Sequence, residues 1–214
     1  MRFNGAIFDQ DGLLFDTEIA YQRAWVEAGA RQGVAIPAEY PRRFCGFAPK
    51  LIAEMAKRDF PALDVPLYCK TAISLAWESQ LESVPPKKKG LDRMLAFCKE
   101  RGIKTAVASS STRKVVEHNL EAARVKGFFD AIVTGDEVEN GKPAPDIFLL
   151  AAERIGLEPA SCCVFEDAFS GIRGAAAAGC GAVLIPDQIE PTDEIRSICR
   201  VFGDLEEAIQ VFGY

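Results

Sequence analysis

Two pairs of acidic residues come directly after apolar segments of the sequence. The pairs are Asp9 and Asp11, after Phe3–Phe8, and Glu166 and Asp167, after Cys162–Phe165. Acids in these positions suit the edge of a sheet better than its core, because an uncompensated carboxylate is costly to bury. Oxygen donors of this kind favour Mg²⁺ over zinc or copper. The pairs therefore predict a magnesium site, with an acid-rich turn and helix-entry acids as the alternatives.

A serine cluster and one lysine occupy two further positions of the same kind. Another apolar segment ends in Ser109, Ser110, Ser111 and Thr112 ahead of a helical pattern, and hydroxyls with backbone N–H groups at a helix start can bind an anion. Lys142 lies between Gly141 and Pro143 in a stiff loop, where its point charge suits a phosphate. An ordinary helix cap at the serines and a surface lysine in a turn are the alternative interpretations.

Five short apolar segments predict the strands that would position these residues. They are Phe3–Phe8, Thr105–Ala108, Ala131–Thr134, Cys162–Phe165 and Ala182–Ile185. The covering helices are predicted over Leu91–Arg101, Lys114–Ala123, Asp146–Ile155, Gly171–Ala178 and Leu205–Phe212. This alternation is typical of an α/β fold with a doubly wound parallel sheet. Because ligands bind at the carboxyl ends of the strands in such sheets, the acids, serines and lysine are expected to converge on one edge.

A helical stretch interrupts the α/β pattern between the first and second predicted strands. Helical periodicity covers Glu18–Arg31, Pro49–Arg58 and Leu67–Leu81. The following segment, Ser83–Gly90, contains two prolines and three lysines and predicts a solvated linker. We therefore expect an α/β core of residues 1–15 and 83–214 and a helical insert of residues 16–82.

Three residues of the insert have structural interpretations. Thr17 is predicted to cap its first helix, and Trp25 and Trp77 to fill its core. In the following core, His118 is expected on a helix surface or in packing rather than as a catalytic base.

Composition excludes several classes of protein. The 214 residues are 49% hydrophobic and 26% charged, values that exclude a disordered or fibrous chain. A net charge of −6 without a long basic run disfavours nucleic-acid binding, and no apolar run reaches the roughly 18 residues of a membrane span. With one histidine and seven cysteines in no C-x-x-C spacing, we expect reduced cysteines and no zinc site. The N-terminus does not have the pattern of a signal peptide, so a cytoplasmic protein is expected.

Four motifs occur in a fixed order along the chain: DQDG, VASSS, GKPAPDIF and VFEDAFSGIRGAAAAG. Together they resemble the haloacid dehalogenase superfamily. The helical insert directly after the first motif is similar to that of the β-phosphoglucomutase-like subgroup, which carries a small helical cap. The resemblance covers the whole chain and implies a Rossmann-like core with an inserted helical-bundle cap.

The resemblance also implies a role for each motif residue. Asp9 corresponds to the nucleophile that takes the phosphoryl group and to a metal ligand. Asp11 corresponds to the general acid/base, with its backbone carbonyl on Mg²⁺. The remaining roles are phosphate binding by Ser109, Ser110 and Lys142 and metal binding by Glu166 and Asp167. The implied enzyme is a magnesium-dependent phosphatase, monomeric like many of the subgroup, that hydrolyses small sugar or nucleotide phosphates through an aspartyl-phosphate.

Departures from the subgroup pattern separate the possible reactions. Asp11 argues against the superfamily's dehalogenases and phosphonatases, which lack an acid at this position. The subgroup's mutases have a histidine where Tyr21 stands and a Lys-Asn pair where Thr112 and Arg113 stand. A sugar phosphomutase and an inactive binding module therefore remain alternatives to the phosphatase. Tyr21, Lys50 and Arg113 are candidates for substrate selection.

Overall fold

The computed structural model describes residues 3–44, 49–187 and 190–213. In this part of the chain a six-stranded parallel sheet has the strand order β3-β2-β1-β4-β5-β6. The strands are β1 (Gly5–Phe8), β2 (Lys104–Ser109), β3 (Ala131–Thr134), β4 (Cys162–Glu166), β5 (Gly181–Leu184) and β6 (Arg200–Val201). Because β1 pairs with β2 on one side and with β4 on the other, the order reverses beside β1, which confirms the doubly wound sheet.

Helices cover the sheet and form the insert. They are α1 (Glu18–Ala30), α2 (Pro49–Asp59), α3 (Val65–Leu81), α4 (Leu91–Arg101), α5 (Arg113–Ala122), α6 (Asp146–Arg154), α7 (Phe169–Ala177), α8 (Asp193–Ile198) and α9 (Leu205–Ala208). On one face of the sheet, Phe8 packs in an apolar cluster with residues of α4, α5 and α9. On the other face, Ile7 packs with residues of α6, α7 and α8. Successive side chains of one strand thus enter two separate cores, as the three-layer α/β class requires.

The insert has a hydrophobic core of its own, built from α1, α2, α3 and a 3₁₀ helix over Tyr40–Phe44. Trp25 lies in this core, and its ring centroid is 5.1 Å from that of Phe44 and 5.1 Å from that of Tyr68. Helix α3 also contacts the α/β core, because Asn119 Nδ2 of α5 donates a 2.7 Å hydrogen bond to Gln80 Oε1. The interpretation of Trp25 as insert core is confirmed, whereas Trp77 is only half-buried.

The segment after α3 contacts the core through ion pairs and a backbone hydrogen bond. Lys88 Nζ lies 2.6 Å from Asp187 Oδ1, and Lys89 Nζ lies 2.7 Å from Asp204 Oδ2. The backbone also pairs with the chain that enters the insert, since Lys88 N–H donates to the Leu14 carbonyl over 2.9 Å. Residues 83–90 contain no helix or strand and are mostly exposed, as predicted for a linker, and these contacts also fix the segment to the core.

Other expectations concern single residues and small elements. The described cysteines are free thiols, as expected, and Cys45 lies outside the described residues. His118 is half-buried on α5, with Nε2 3.3 Å from the Ser83 carbonyl, which agrees with a helix-surface or packing residue. Across the described ranges, no helix is both long enough and apolar enough to span a membrane.

Candidate active site

The register of the sheet brings the first acidic residue of each pair to the same level. Phe8, the last residue of β1, is aligned with Val107 of β2 and with Phe165 of β4. The next residue, Asp9, therefore lies beside Glu166, and its N–H donates a 3.0 Å hydrogen bond to the Phe165 carbonyl. The convergence of the two acidic pairs on one sheet edge follows from this parallel register.

Lys142 lies between the two acidic pairs. Its Nζ is 2.5 Å from Asp9 Oδ1, 2.7 Å from Glu166 Oε1 and 2.9 Å from the Ala108 carbonyl. Burial works against its positive charge, but Asp9 and Glu166 outweigh burial and raise the pKa of the Lys142 ammonium above its usual range. Lys142 is therefore a buried counter-charge at the site and not a surface lysine of a turn.

Three carboxylates form a group that fits a divalent cation. Asp9, Glu166 and Asp167 each offer an oxygen, and these oxygens lie within 4.8 Å of one another. Burial raises the pKa of Glu166 to about 7, and burial together with Glu166 raises the pKa of Asp167 well above its usual value. Buried carboxylates this close together repel one another, and the single positive charge of Lys142 does not offset all three when they are ionised. The all-oxygen donor set suits Mg²⁺.

Gly12 makes room for this acidic group. It has φ +86°, and a Cβ atom there would overlap the Asp167 carboxylate. The residue therefore combines a backbone conformation that L side chains rarely adopt with a close approach of the second acidic pair.

Asp11 accepts hydrogen bonds from three hydroxyl groups, of which the bond from Ser109 is the longest at 3.5 Å. Thr17 Oγ1 donates to Asp11 Oδ1 over 2.9 Å, and Ser111 Oγ donates to Asp11 Oδ2 over 2.8 Å. Burial and the nearby Asp9 raise the pKa of Asp11. Thr17 does occupy the position before α1, but its side chain makes no capping hydrogen bond. Its predicted capping role is wrong, because its hydroxyl binds Asp11 instead.

The serine cluster divides into residues of different exposure. Ser109 is fully buried, and its Oγ accepts a 3.1 Å hydrogen bond from the Ser111 N–H. Ser110 and Ser111 line a cavity of about 330 Å³ between the sheet edge and the insert. Ser111 belongs to the predicted anion-binding cluster, but the resemblance implied phosphate binding only for Ser109 and Ser110 and gave Ser111 no role at Asp11.

Tyr21 connects the insert to this cluster. Its hydroxyl lies 3.3 Å from Ser111 Oγ, and its side chain lines the same cavity. Burial and the negative charge of Asp11 raise the pKa of Tyr21 above its usual range. The residue that replaces a histidine of the mutases thus contacts the hydroxyl that binds the acid/base candidate.

Two of the candidates for substrate selection, Lys50 and Arg113, are not among the described residues that line the cavity. Lys50 is exposed at the start of α2. Arg113 has ion pairs with Glu117 and Glu137, and its Nη2 also donates to the Ile132 carbonyl over 3.1 Å. The contact of Arg113 with substrate stays a prediction.

Sequence reasoning missed several residues that do line the cavity. They are Glu18, Gln22 and Trp25 of α1, Cys69, Ile73 and Trp77 of α3, and Pro41 and Ile52 between α1 and α3 in the chain. Within α1 and α3 the spacings of three and four residues place them on single helix faces. This periodicity was visible in the sequence, but it did not distinguish a face turned toward a cavity from one turned toward a core.

Comparisons with known proteins agree with the motifs. The family model of haloacid dehalogenase-like hydrolases matches residues 3–179. The fructose-1-phosphate phosphatase YqaB of Escherichia coli is 34% identical over 183 residues, which cover 85% of this chain and 96% of that protein. The chloroplastic protein suppressor of quenching 1 of Arabidopsis thaliana is 32% identical over 203 residues, which cover 86% of this chain but 18% of the plant protein.

A solved structure extends the likeness to the whole fold. The putative β-phosphoglucomutase of Thermotoga maritima superposes with a TM-score of 0.73 and 27% identity, covering 98% of each chain. The ordered motifs, the shared edge on which their acids and lysine meet, and the match over residues 3–179 lead to one assignment. This chain belongs to the haloacid dehalogenase-like hydrolases, in the β-phosphoglucomutase-like subgroup.

Proposed function

We propose that this protein is a magnesium-dependent phosphatase that hydrolyses small phosphate monoesters through an aspartyl-phosphate on Asp9. The observation that carries the proposal is the position of Lys142, whose Nζ is 2.5 Å from Asp9 Oδ1 within a group of three carboxylates. A carboxylate can approach a phosphate dianion only where positive charge offsets the repulsion. Residues 16–82 are proposed to act as a cap over the α/β core of residues 1–15 and 83–214.

The proposed reaction has two steps. An oxygen of Asp9 attacks phosphorus, the ester P–O bond breaks, and Asp11 donates a proton to the leaving oxygen. Asp11 then removes a proton from water, the water oxygen attacks the same phosphorus, and phosphate leaves as the Asp9 carboxylate is restored. Mg²⁺ held by Asp9, Asp167, Glu166 and the Asp11 carbonyl would offset charge on the phosphoryl oxygens.

Ser110 and Lys142 are proposed to bind the phosphoryl group. Ser110 is exposed to the cavity, and Lys142 lies at its base. Ser109 is proposed to bind it too, since its hydroxyl, although fully buried, donates to Asp11 Oδ2 over 3.5 Å and so faces the same site.

The proposed substrates are sugar or nucleotide monophosphates. The relative YqaB is named for hydrolysis of fructose 1-phosphate, which supports the sugar phosphates. A phosphomutase is the second candidate, and the likeness to a putative β-phosphoglucomutase favours it. Tyr21 and Arg113 stand in place of mutase residues and favour hydrolysis.

The test is phosphate release from a panel of sugar and nucleotide monophosphates, with Mg²⁺ or with EDTA. We expect turnover only with Mg²⁺, and none in Asp9→Asn, since an amide cannot form the acyl-phosphate. Conversion of β-glucose 1-phosphate to glucose 6-phosphate without phosphate release would establish the mutase instead. Binding of esters with no turnover of any would contradict both enzymes and indicate a binding module.

A further inference from the structure

Lys142 at the base of the cavity supplies the positive charge of the described lining residues. Among the described residues that line the cavity, Lys142 is the single cation, and its ammonium is already paired with Asp9 and Glu166. Glu18 adds a carboxyl group on the side of the insert. A second phosphate on a substrate would therefore enter a cavity with acidic groups and no cation to receive it.

The part of the cavity formed by the insert is mostly apolar beyond the first turns of α1. Cys69, Ile73 and Trp77 of α3 follow at intervals of four residues and line the cavity from one helix face. Along α1, the lining changes from Glu18 at its first turn to Trp25, which lies about 10 Å further at 1.5 Å per residue. The cavity thus has a polar end at the sheet and an apolar end in the insert.

The apolar end is held in place by aromatic packing. Trp25 is 7% exposed, and its ring contacts those of Phe44 and Tyr68 with centroid distances of 5.1 Å. Trp25 and Phe44 are thus fixed as apolar side chains, and the polar atoms that the described part of the insert offers to the cavity are those of Glu18, Tyr21, Gln22 and the Trp77 indole nitrogen. Sugar hydroxyl groups placed against Trp25, Phe44 and Ile73 would lose water without gaining a hydrogen bond.

We infer that the preferred substrate is a monophosphate ester whose leaving alcohol is apolar, aliphatic or aromatic, and carries no second phosphate. The inference rests on the proposed phosphatase activity, and it places esters of apolar alcohols ahead of sugar phosphates among the monophosphates that the enzyme would hydrolyse. The phosphoryl group lies at Asp9 and Lys142, and the organic group extends along Tyr21 toward Trp25 and Ile73. Burial of apolar surface on both sides then favours binding.

Two matched pairs of primary-alcohol esters test the preference. The first pair is 2-phenylethyl phosphate and sorbitol 6-phosphate, and the second is n-hexyl phosphate and 1,6-hexanediol bisphosphate. We expect kcat/KM to be at least about tenfold higher for the first member of each pair. Calorimetry with Mg²⁺ measures the affinity of the Asp9→Asn variant for the same esters. The affinities should follow the same order, and they are obtained without turnover.

A substitution in the apolar wall tests its cause. Ile73→Lys places a cation in the wall and should raise kcat/KM for the bisphosphate at least about fivefold while lowering that for 2-phenylethyl phosphate. Ile19→Lys is the matched control, because Ile19 is 55% exposed on α1 and does not line the cavity. Ile19→Lys adds the same positive charge outside the cavity. It should leave kcat/KM unchanged for both the bisphosphate and 2-phenylethyl phosphate. Circular dichroism establishes that each variant is folded.

The possible results separate the inference from the proposed function. Phosphate release with sorbitol 6-phosphate equal to or better than 2-phenylethyl phosphate would overturn the inference and leave the phosphatase intact. No release from any ester, including p-nitrophenyl phosphate, would overturn the phosphatase, and calorimetry would then decide the preference alone. If wild type accepts the bisphosphate as well as n-hexyl phosphate, the charge argument fails.

Discussion

Lys142 uses its three ammonium protons on three acceptors at the carboxyl ends of three adjacent strands. The acceptors are Asp9 after β1, the Ala108 carbonyl in β2 and Glu166 at the end of β4. Its side chain is 6% exposed. Lys142 thus links the ends of three strands and offsets the negative charge of Asp9, the proposed nucleophile. Its loss is therefore expected to affect stability and catalysis together.

We expect Lys142→Met to lower kcat about 10²–10³-fold and to lower the melting temperature, because two buried carboxylates lose their counter-charge. Lys104→Met is the control, since Lys104 forms an exposed pair with Asp130 and such pairs contribute about 1 kcal/mol or less. Thermal unfolding and initial rates with a saturating ester measure both effects. A kcat within threefold of wild type would contradict the role of Lys142.

Thr17 and Thr192 occupy equivalent positions before helices but use their hydroxyls differently. Thr17 donates to Asp11, whereas Thr192 accepts from the Ile195 N–H and caps α8. Thr17→Val should therefore lower kcat by about tenfold or more, by releasing the acid/base carboxylate, and leave helix stability almost unchanged. Thr192→Val should cost about 1 kcal/mol of stability and leave kcat unchanged. Equal effects of the two substitutions on kcat would contradict this assignment.

At the scale of elements, the turn after β3 supports the serine loop of the site. Glu137 accepts from the Thr134 N–H and Oγ1 and pairs with Arg113 and Arg154. Gly135 in this turn lies against the Ser110 carbonyl so closely that a Cβ atom would overlap it. The turn therefore fixes the loop that contains Ser110.

The interactions of Glu137 are expected to make part of the protein's folding stability depend on pH. Burial alone would raise the pKa of its carboxyl, but Arg154, Thr134 and Arg113 outweigh it and lower the pKa from 4.5 to about 2. A lowered pKa contributes stability that is present above pH 4.5 and is lost as the pH falls through about 2. The melting temperature of Glu137→Gln should therefore lie below that of wild type at pH 7, and the difference should shrink between pH 4.5 and pH 2.5. A difference independent of pH would contradict the prediction.

The long apolar and periodic elements could be predicted from the sequence, and the small ones could not. The predicted Ala131–Thr134 strand and Leu91–Arg101 helix agree with β3 and α4 at both ends, because buried strands and amphipathic helices have strong patterns. β6 has two residues and α8 has six, too few for a recognisable period. The sites of Asp9, Glu166 and Lys142 followed from motifs at strand ends. The partners of Thr17 and Arg113 depend on long-range packing that local patterns do not contain.

At the scale of the whole molecule, buried acids of two distant chain segments meet at one point. Asp9 follows β1 and Asp167 follows β4, so a cation bound by both would join the first and later parts of the core. A cation that binds the folded chain and not the unfolded chain stabilises the fold by mass action. The gain is about 2.7 kcal/mol when the free cation concentration is a hundred times Kd. The metal is therefore expected to act on unfolding as well as on turnover.

We expect saturating Mg²⁺ to raise the melting temperature by about 5–10 °C over EDTA-treated protein. Asp167→Asn should abolish most of this shift, because it removes one of the three convergent carboxylates. Asp92→Asn is the control, since Asp92 is exposed and pairs with Lys87 outside the site. Differential scanning calorimetry measures the shift. An equal shift in both variants would place the cation elsewhere.

The insert enters and leaves the core through two chain segments that are hydrogen-bonded to each other. Asp16 N–H donates to the Pro86 carbonyl and Lys88 N–H donates to the Leu14 carbonyl, each over 2.9 Å. The two ends of the insert are therefore neighbours, and a helical unit of another length could replace it without changing the distance that the core must close. Such an attachment allows caps to be exchanged between related enzymes as modules, so that substrate preference can diverge while the chemistry at the sheet edge is inherited unchanged.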